Sequence, residues 1–185
     1  MAVVVVGGNG KDVGKTTLVC AVISALREFE WTAVKITGHD YGPAEESSSP
    51  MQLLVREETE PGEKTDTARY LAAGARRALL VTRFGVDVPV EEIRTALGED
   101  RNVIFESNRI VDVMKPDVCV ALVGSQERKA SFDRFLRLAD AVLIVSGAAV
   151  ADFPEGISRF ELDSADRIPE DFVSWLRDRM GHEAP

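Results

Sequence analysis

Short β-branched runs alternate with segments of helical period along most of the 185 residues, and this alternation leaves few folds open. Parallel strands covered by helices on both faces read as continuous apolar runs, because neither face meets water. Such runs fall at 2–6, 31–36, 78–82, 102–105, 118–123 and 141–145, with shorter candidates for edge strands at 51–55 and 157–162. Between them, Leu18, Val19, Val22, Ile23 and Leu26 share one face of a first helix beginning at Lys15, and Phe172, Val173, Leu176 and Met180 give the last helix one apolar face. Thr65 is placed to cap a helix over 65–75 that Gly74 would end, and Pro89 to open one that Gly98 would close. The spacing predicts an α/β protein: a three-layer α/β/α fold with a mostly parallel sheet of six to seven strands, its ligand site at the carboxyl ends of the strands. No internal repeat or interdomain linker interrupts the pattern, so one domain over 1–185 is expected. The stretch 38–64, rich in Gly, Pro, Ser and Glu, is too long for an ordinary connection and reads as a lid or flexible segment.

The turn between the first strand and first helix carries the chemistry. Gly8, Asn9, Gly10, Lys11, Asp12, Val13, Gly14, Lys15, Thr16 and Thr17 join a buried strand to an amphipathic helix, the context of a P-loop. Glycines let successive N–H groups curl toward phosphate oxygens, and the helix adds its positive N-terminal end. These ten residues are the expected nucleotide-binding set, with Lys15 reaching the β- and γ-phosphates and the Thr16 hydroxyl ligating Mg²⁺. The strict spacing puts glycine five residues before Gly14, where Asn9 stands; Gly8 leads a longer loop.

Two carboxylates end neighbouring strands. Asp40 follows the second strand and Glu106 ends the strand at 102–105, where an acid holds Mg²⁺ through water or orients an attacking water. The expected catalytic set is Lys15, Asp40 and Glu106, and the expected metal set is Thr16, Asp40 and Glu106. His39 and Asp66 are weaker candidates, since a polar turn accounts for the first and compensation of a helix dipole for the second, and Ser107 and Asn108 are weaker candidates for substrate contact. Cys20 and Cys119 have neither metal-ligand nor disulfide spacing and are expected to be buried packing residues.

Charge and hydropathy exclude several partners. A net charge of −9 with no run of Lys and Arg disfavours nucleic acid and anionic membranes. No apolar run approaches the ~20 residues of a membrane helix. The chain enters its valine strand with no leader-like segment before it, so the cytoplasm is expected.

The longer loop resembles those of dethiobiotin synthetase and the cobyrinate amidases. Lys35, Thr37, His39 and Asp40, then Lys64, Asp66, Arg69 and Ala73-Gly74-Ala75, resemble two motifs of molybdopterin-guanine dinucleotide biosynthesis protein B (MobB), a small GTP-binding family; Ile36 and Gly38 replace two of its histidines. Where MobB and dethiobiotin synthetase carry Glu-Gly, this chain has Glu106-Ser107-Asn108. The resemblance implies Mg²⁺-dependent GTP binding with slow hydrolysis, an accessory role in molybdenum-cofactor maturation, and a partner enzyme of that route. No Asn-Lys-x-Asp or Thr-Lys-x-Asp segment is present to read guanine, which leaves GTP and ATP both open. Two alternatives stand beside it. One is an ATP-dependent ligase resembling dethiobiotin synthetase; the other is a nucleotide-dependent switch acting as a homodimer through partner binding, suggested by Lys11, four residues before Lys15, and by the acidic 38–64 segment.

Overall fold

The computed structural model describes residues 2–38, 54–83, 88, 90–126, 130–148 and 153–181. Its strands are β1 (Ala2–Gly8), β2 (Thr32–Gly38), β3 (Leu54–Glu58), β4 (Arg77–Arg83), β5 (Asn102–Glu106), β6 (Val118–Val123), β7 (Ala141–Val145) and β8 (Ser158–Leu162). They form one sheet in the order β3-β4-β2-β5-β1-β6-β7-β8, parallel throughout except for the β3–β4 pair. The helices are α1 (Lys15–Ala25), α2 (Asp66–Ala73), α3 (Val90–Leu97), α4 (Ala130–Leu136) and α5 (Glu170–Gly181).

Alternation along β1 shows why the apolar run is unbroken. Val4 and Val6 enter a core with Leu18 and Val22 of α1, Tyr70 of α2 and Phe172 of α5. Val3 and Val5 enter the opposite one, with Ile93 of α3 and Phe132 and Phe135 of α4. Thr65 caps α2 by accepting the Ala68 N–H at 3.1 Å, and Gly74 ends it at φ 107°. Pro89 lies outside the described residues.

The sheet has eight strands where six to seven are expected, because both candidate edges form. Of the apolar run at 51–55, residues 51–53 lie outside the described residues; β3 runs antiparallel and continues to Glu58, opposite Ala78. Its register rests on charge: Arg77 of β4 donates to both oxygens of Glu57, at 2.9 and 2.7 Å, and at 2.7 Å to the buried Asp100, which also holds Arg76. Charged side chains suit an exposed edge, which they protect from pairing with other chains. The stretch expected as a lid over 38–64 therefore contains the end of β2 and all of β3. Cys119 is buried, but Cys20 is only half-buried, on the flank of α1 toward Arg69 and Asp66. No helix among the described residues is long and apolar enough to cross a membrane.

With β1 between β5 and β6, the chain works outward to one side through β2 and β4 and then to the other through β6 to β8. That reversal opens a crevice at the carboxyl end of β1, where doubly wound sheets hold their ligands.

Candidate functional site

The loop after β1 opens onto a cavity of about 1050 Å³. Gly14 stands at its inner end at φ 103°, and a Cβ there would lie 2.8 Å from that of Ala165, so both conformation and space require glycine. α1 starts directly after it with no side-chain cap and no acidic residue in its first turn, which leaves its orphan N–H groups to an anion. Gly8, Gly10, Lys11, Asp12, Gly14, Lys15, Thr16 and Thr17 line the cavity, while Lys15 Nζ also donates to the Gly10 carbonyl at 2.7 Å.

Asn9 and Val13, both in the expected nucleotide-binding set, turn away from it. Val13 joins the core. The Asn9 side chain donates to the carbonyls of Gly124 (2.9 Å) and Gln126 (2.7 Å) and accepts the Gly124 N–H (3.0 Å), fastening the loop to the segment after β6. Asn108, a candidate for substrate contact, brackets Gly8 by accepting its N–H at 2.8 Å and donating to its carbonyl at 2.9 Å. The Ser107 hydroxyl accepts the N–H groups of Arg109 and Ile110, so it caps the helical turn at Ile110–Asp112.

Glu106 is buried at the end of β5 and gathers three donors from three elements. Its Oε2 accepts the Thr16 hydroxyl at 2.8 Å and the Tyr70 hydroxyl, and its Oε1 accepts the Lys35 ammonium. Lys35 also pairs with Asp66 at 2.9 Å, and Arg69 donates to the Thr17 hydroxyl at 3.2 Å. Asp66 thus faces the site and does more than offset a helix dipole. His39 and Asp40 lie outside the described residues. Tyr70 is not among the residues expected from the sequence; its spacing of four from Asp66 on an amphipathic helix is the one signal for it.

This cluster ties stability to pH. Burial pulls the Lys35 ammonium down, but the Glu106 and Asp66 carboxylates outweigh it and its pKa is raised. Burial, then the Glu106 charge, pushes the Tyr70 hydroxyl well above its ordinary value. Burial raises Asp66, but Lys35 outweighs it and holds the carboxyl below its ordinary range. Lys35 and Tyr70 bind protons more tightly folded than unfolded, so their contribution is intact below about pH 10 and is lost as pH rises through their folded values. Asp66 has the opposite sign: its contribution holds above about pH 4 and is lost as pH falls through its lowered value. Urea unfolding from pH 8 to 11 is expected to show falling stability with a shallower fall in Tyr70→Phe; identical slopes would remove Tyr70 as a cause.

The glycine loop and uncapped helix start after β1, and the acid on adjacent β5 that receives Thr16, place this doubly wound sheet in the P-loop NTPase fold class. No family model matches the chain, and no curated protein matches it significantly. Among solved structures it is similar to LpxK from Aquifex aeolicus in complex with ATP, at TM-score 0.51 and 16% identity over 87% of this chain and 53% of LpxK. The chain thus spans about half the length of LpxK, and the likeness is one of fold. It is also similar to a MobB protein homolog from Bacillus stearothermophilus, at 16% identity and TM-score 0.49 over 98% of this chain and 99% of that one.

Proposed function

We propose that this chain binds a Mg²⁺-nucleoside triphosphate, GTP in the first instance, hydrolyses it slowly, and serves as a MobB-like accessory protein in the maturation of molybdopterin guanine dinucleotide. The observation that carries nucleotide binding is the uncapped, acid-free start of α1 opening with Lys15 and Thr16 onto one cavity. GTP and the cofactor pathway rest on the motifs around Lys35 and Asp66 and on the family they resemble.

The residues fit Mg²⁺. Among the described residues no group of three or more His, Cys, Asp or Glu side chains could hold a metal. A hydroxyl and a carboxylate 2.8 Å apart instead offer the few hard oxygens that Mg²⁺ takes alongside phosphates and water. Thr16 and Glu106 would hold it, and when bound it would neutralise charge on the β- and γ-phosphates. The loop amides and Lys15 bind and orient the phosphates, and Glu106 positions water in line with the terminal one.

Calorimetric titration with GTP and with ATP, each with Mg²⁺, tests the core of this proposal. Lys15→Ala removes one charge-assisted hydrogen bond of ~1.5–3 kcal/mol, so affinity is expected to fall roughly 10- to 150-fold. No binding of either nucleotide by the native chain, or undiminished binding by the variant, overturns the proposal.

A further inference from the structure

β2 and α2 supply one side of the cavity, through Lys35, Thr37 and Gly38 from the first and Asp66 and Arg69 from the second. A P-loop does not need these residues to seat phosphates on its amides, Lys15 and Thr16. The cavity, at about 1050 Å³, sits at the top of the ~300–1,000 Å³ range of small-molecule sites.

Glu106 stands between the two sides. Its Oε2 receives Thr16, and its Oε1 receives Lys35. The Lys35 ammonium therefore lies across the carboxylate from the hydroxyl on the phosphate side. Its three donors meet two partners among the described residues, Glu106 and Asp66. The Arg69 guanidinium, with five donors, makes one hydrogen bond among the described residues, to Thr17, and a looser 3.9 Å pairing with Asp66. Donor capacity thus points into the cavity from two cations on neighbouring elements. A divalent cation on the Thr16 side would draw on the Glu106 carboxylate and leave Asp66 as the nearest counter-charge to both Lys35 and Arg69.

We propose that Lys35 and Arg69 form an oxyanion subsite, which takes the phosphate or carboxylate group of a second small molecule beside the bound nucleotide. It rests on the nucleotide reading for its neighbour, and a titration in two steps separates them. The full chain is first saturated with Mg²⁺ and a non-hydrolysable triphosphate analogue, GMP-PNP or AMP-PNP, and then titrated with sodium orthophosphate or, in a second arm, sodium acetate. One further equivalent of either anion is expected, the arm that binds naming the group, with affinity lowered about tenfold or more in Arg69→Gln and Lys35→Met. Arg69 is half-exposed, so Arg69→Gln carries the result if Lys35→Met fails to fold. The subsite is overturned by the absence of a further equivalent in both arms, or by one that survives both substitutions. It is also overturned if orthophosphate binds beside Mg²⁺-GDP but is excluded by GMP-PNP, since Lys35 and Arg69 then serve the terminal phosphate. A silent first step overturns the nucleotide reading alone, provided orthophosphate still binds and is lost in Arg69→Gln but kept in Lys15→Ala. Loss in Lys15→Ala only would overturn the subsite.

Discussion

Glu106→Gln is expected to lower the melting temperature by roughly 6–12 °C and to abolish the Mg²⁺-dependent gain in nucleotide affinity. The carboxylate, with its side chain 2% exposed, receives donors from Thr16, Tyr70 and Lys35. An amide of the same shape can turn its oxygen to Lys35 and its NH₂ to the two hydroxyls, but it carries no charge. Lys35, 18% exposed, then keeps only Asp66 as a counter-charge among the described residues. Removing one partner of a buried ion pair costs about 3–5 kcal/mol, and the residual exposure of Lys35 argues for the low end, ~3 kcal/mol. At ~2–4 °C per kcal/mol for a chain of this size, the melting shift follows. The affinity loss has a separate origin, since the neutral amide withdraws the charge that would hold Mg²⁺ beside Thr16. Thermal unfolding with and without Mg²⁺-nucleotide reads both effects. A melting temperature within 1–2 °C of the native one would mean that the three donors are satisfied without the carboxylate.

What the sequence made legible followed from local constraint. β1 declares itself because both its faces are buried, which forces apolar residues at consecutive positions, and Gly14-Lys15-Thr16 declares the loop because only glycine tolerates the backbone there. Glu106 was found from its place at a strand end. Of its partners, Thr16 is legible in the loop motif, whereas Lys35 and Tyr70 meet Glu106 only once the sheet order sets β2 beside β5 and α2 packs against β2. β3 runs past the expected edge for a related reason: Arg56, Glu57 and Glu58 carry no apolar signal, and their pairing depends on Arg77, far along the chain. Patterning reports what a segment buries, and is silent about which distant side chain it meets. The same gap explains Asn9, which looked like an irregularity in the loop.

Asn9→Gly restores the regular glycine spacing, yet is expected to destabilise the protein by ~3 kcal/mol or more. Asn9 is 1% exposed and makes three hydrogen bonds to the backbone of Gly124 and Gln126, two given and one received. Glycine leaves those groups unpaired in a part of the structure where Gly124 is buried, at ~1–3 kcal/mol for each that water cannot reach. It also adds ~0.5–1 kcal/mol of backbone entropy to the unfolded chain. Thermal unfolding is therefore expected to move down by roughly 6 °C or more. An unchanged melting temperature would show that the clamp contributes nothing and that the loop is held by Asn108 and its own backbone. A fall would mean that this longer loop replaces a glycine's freedom with a side chain's anchorage. The loop after β6 would then be part of the site's framework, because the segment that Asn9 grips anchors the loop between Gly8, whose N–H is held by Asn108, and Gly10.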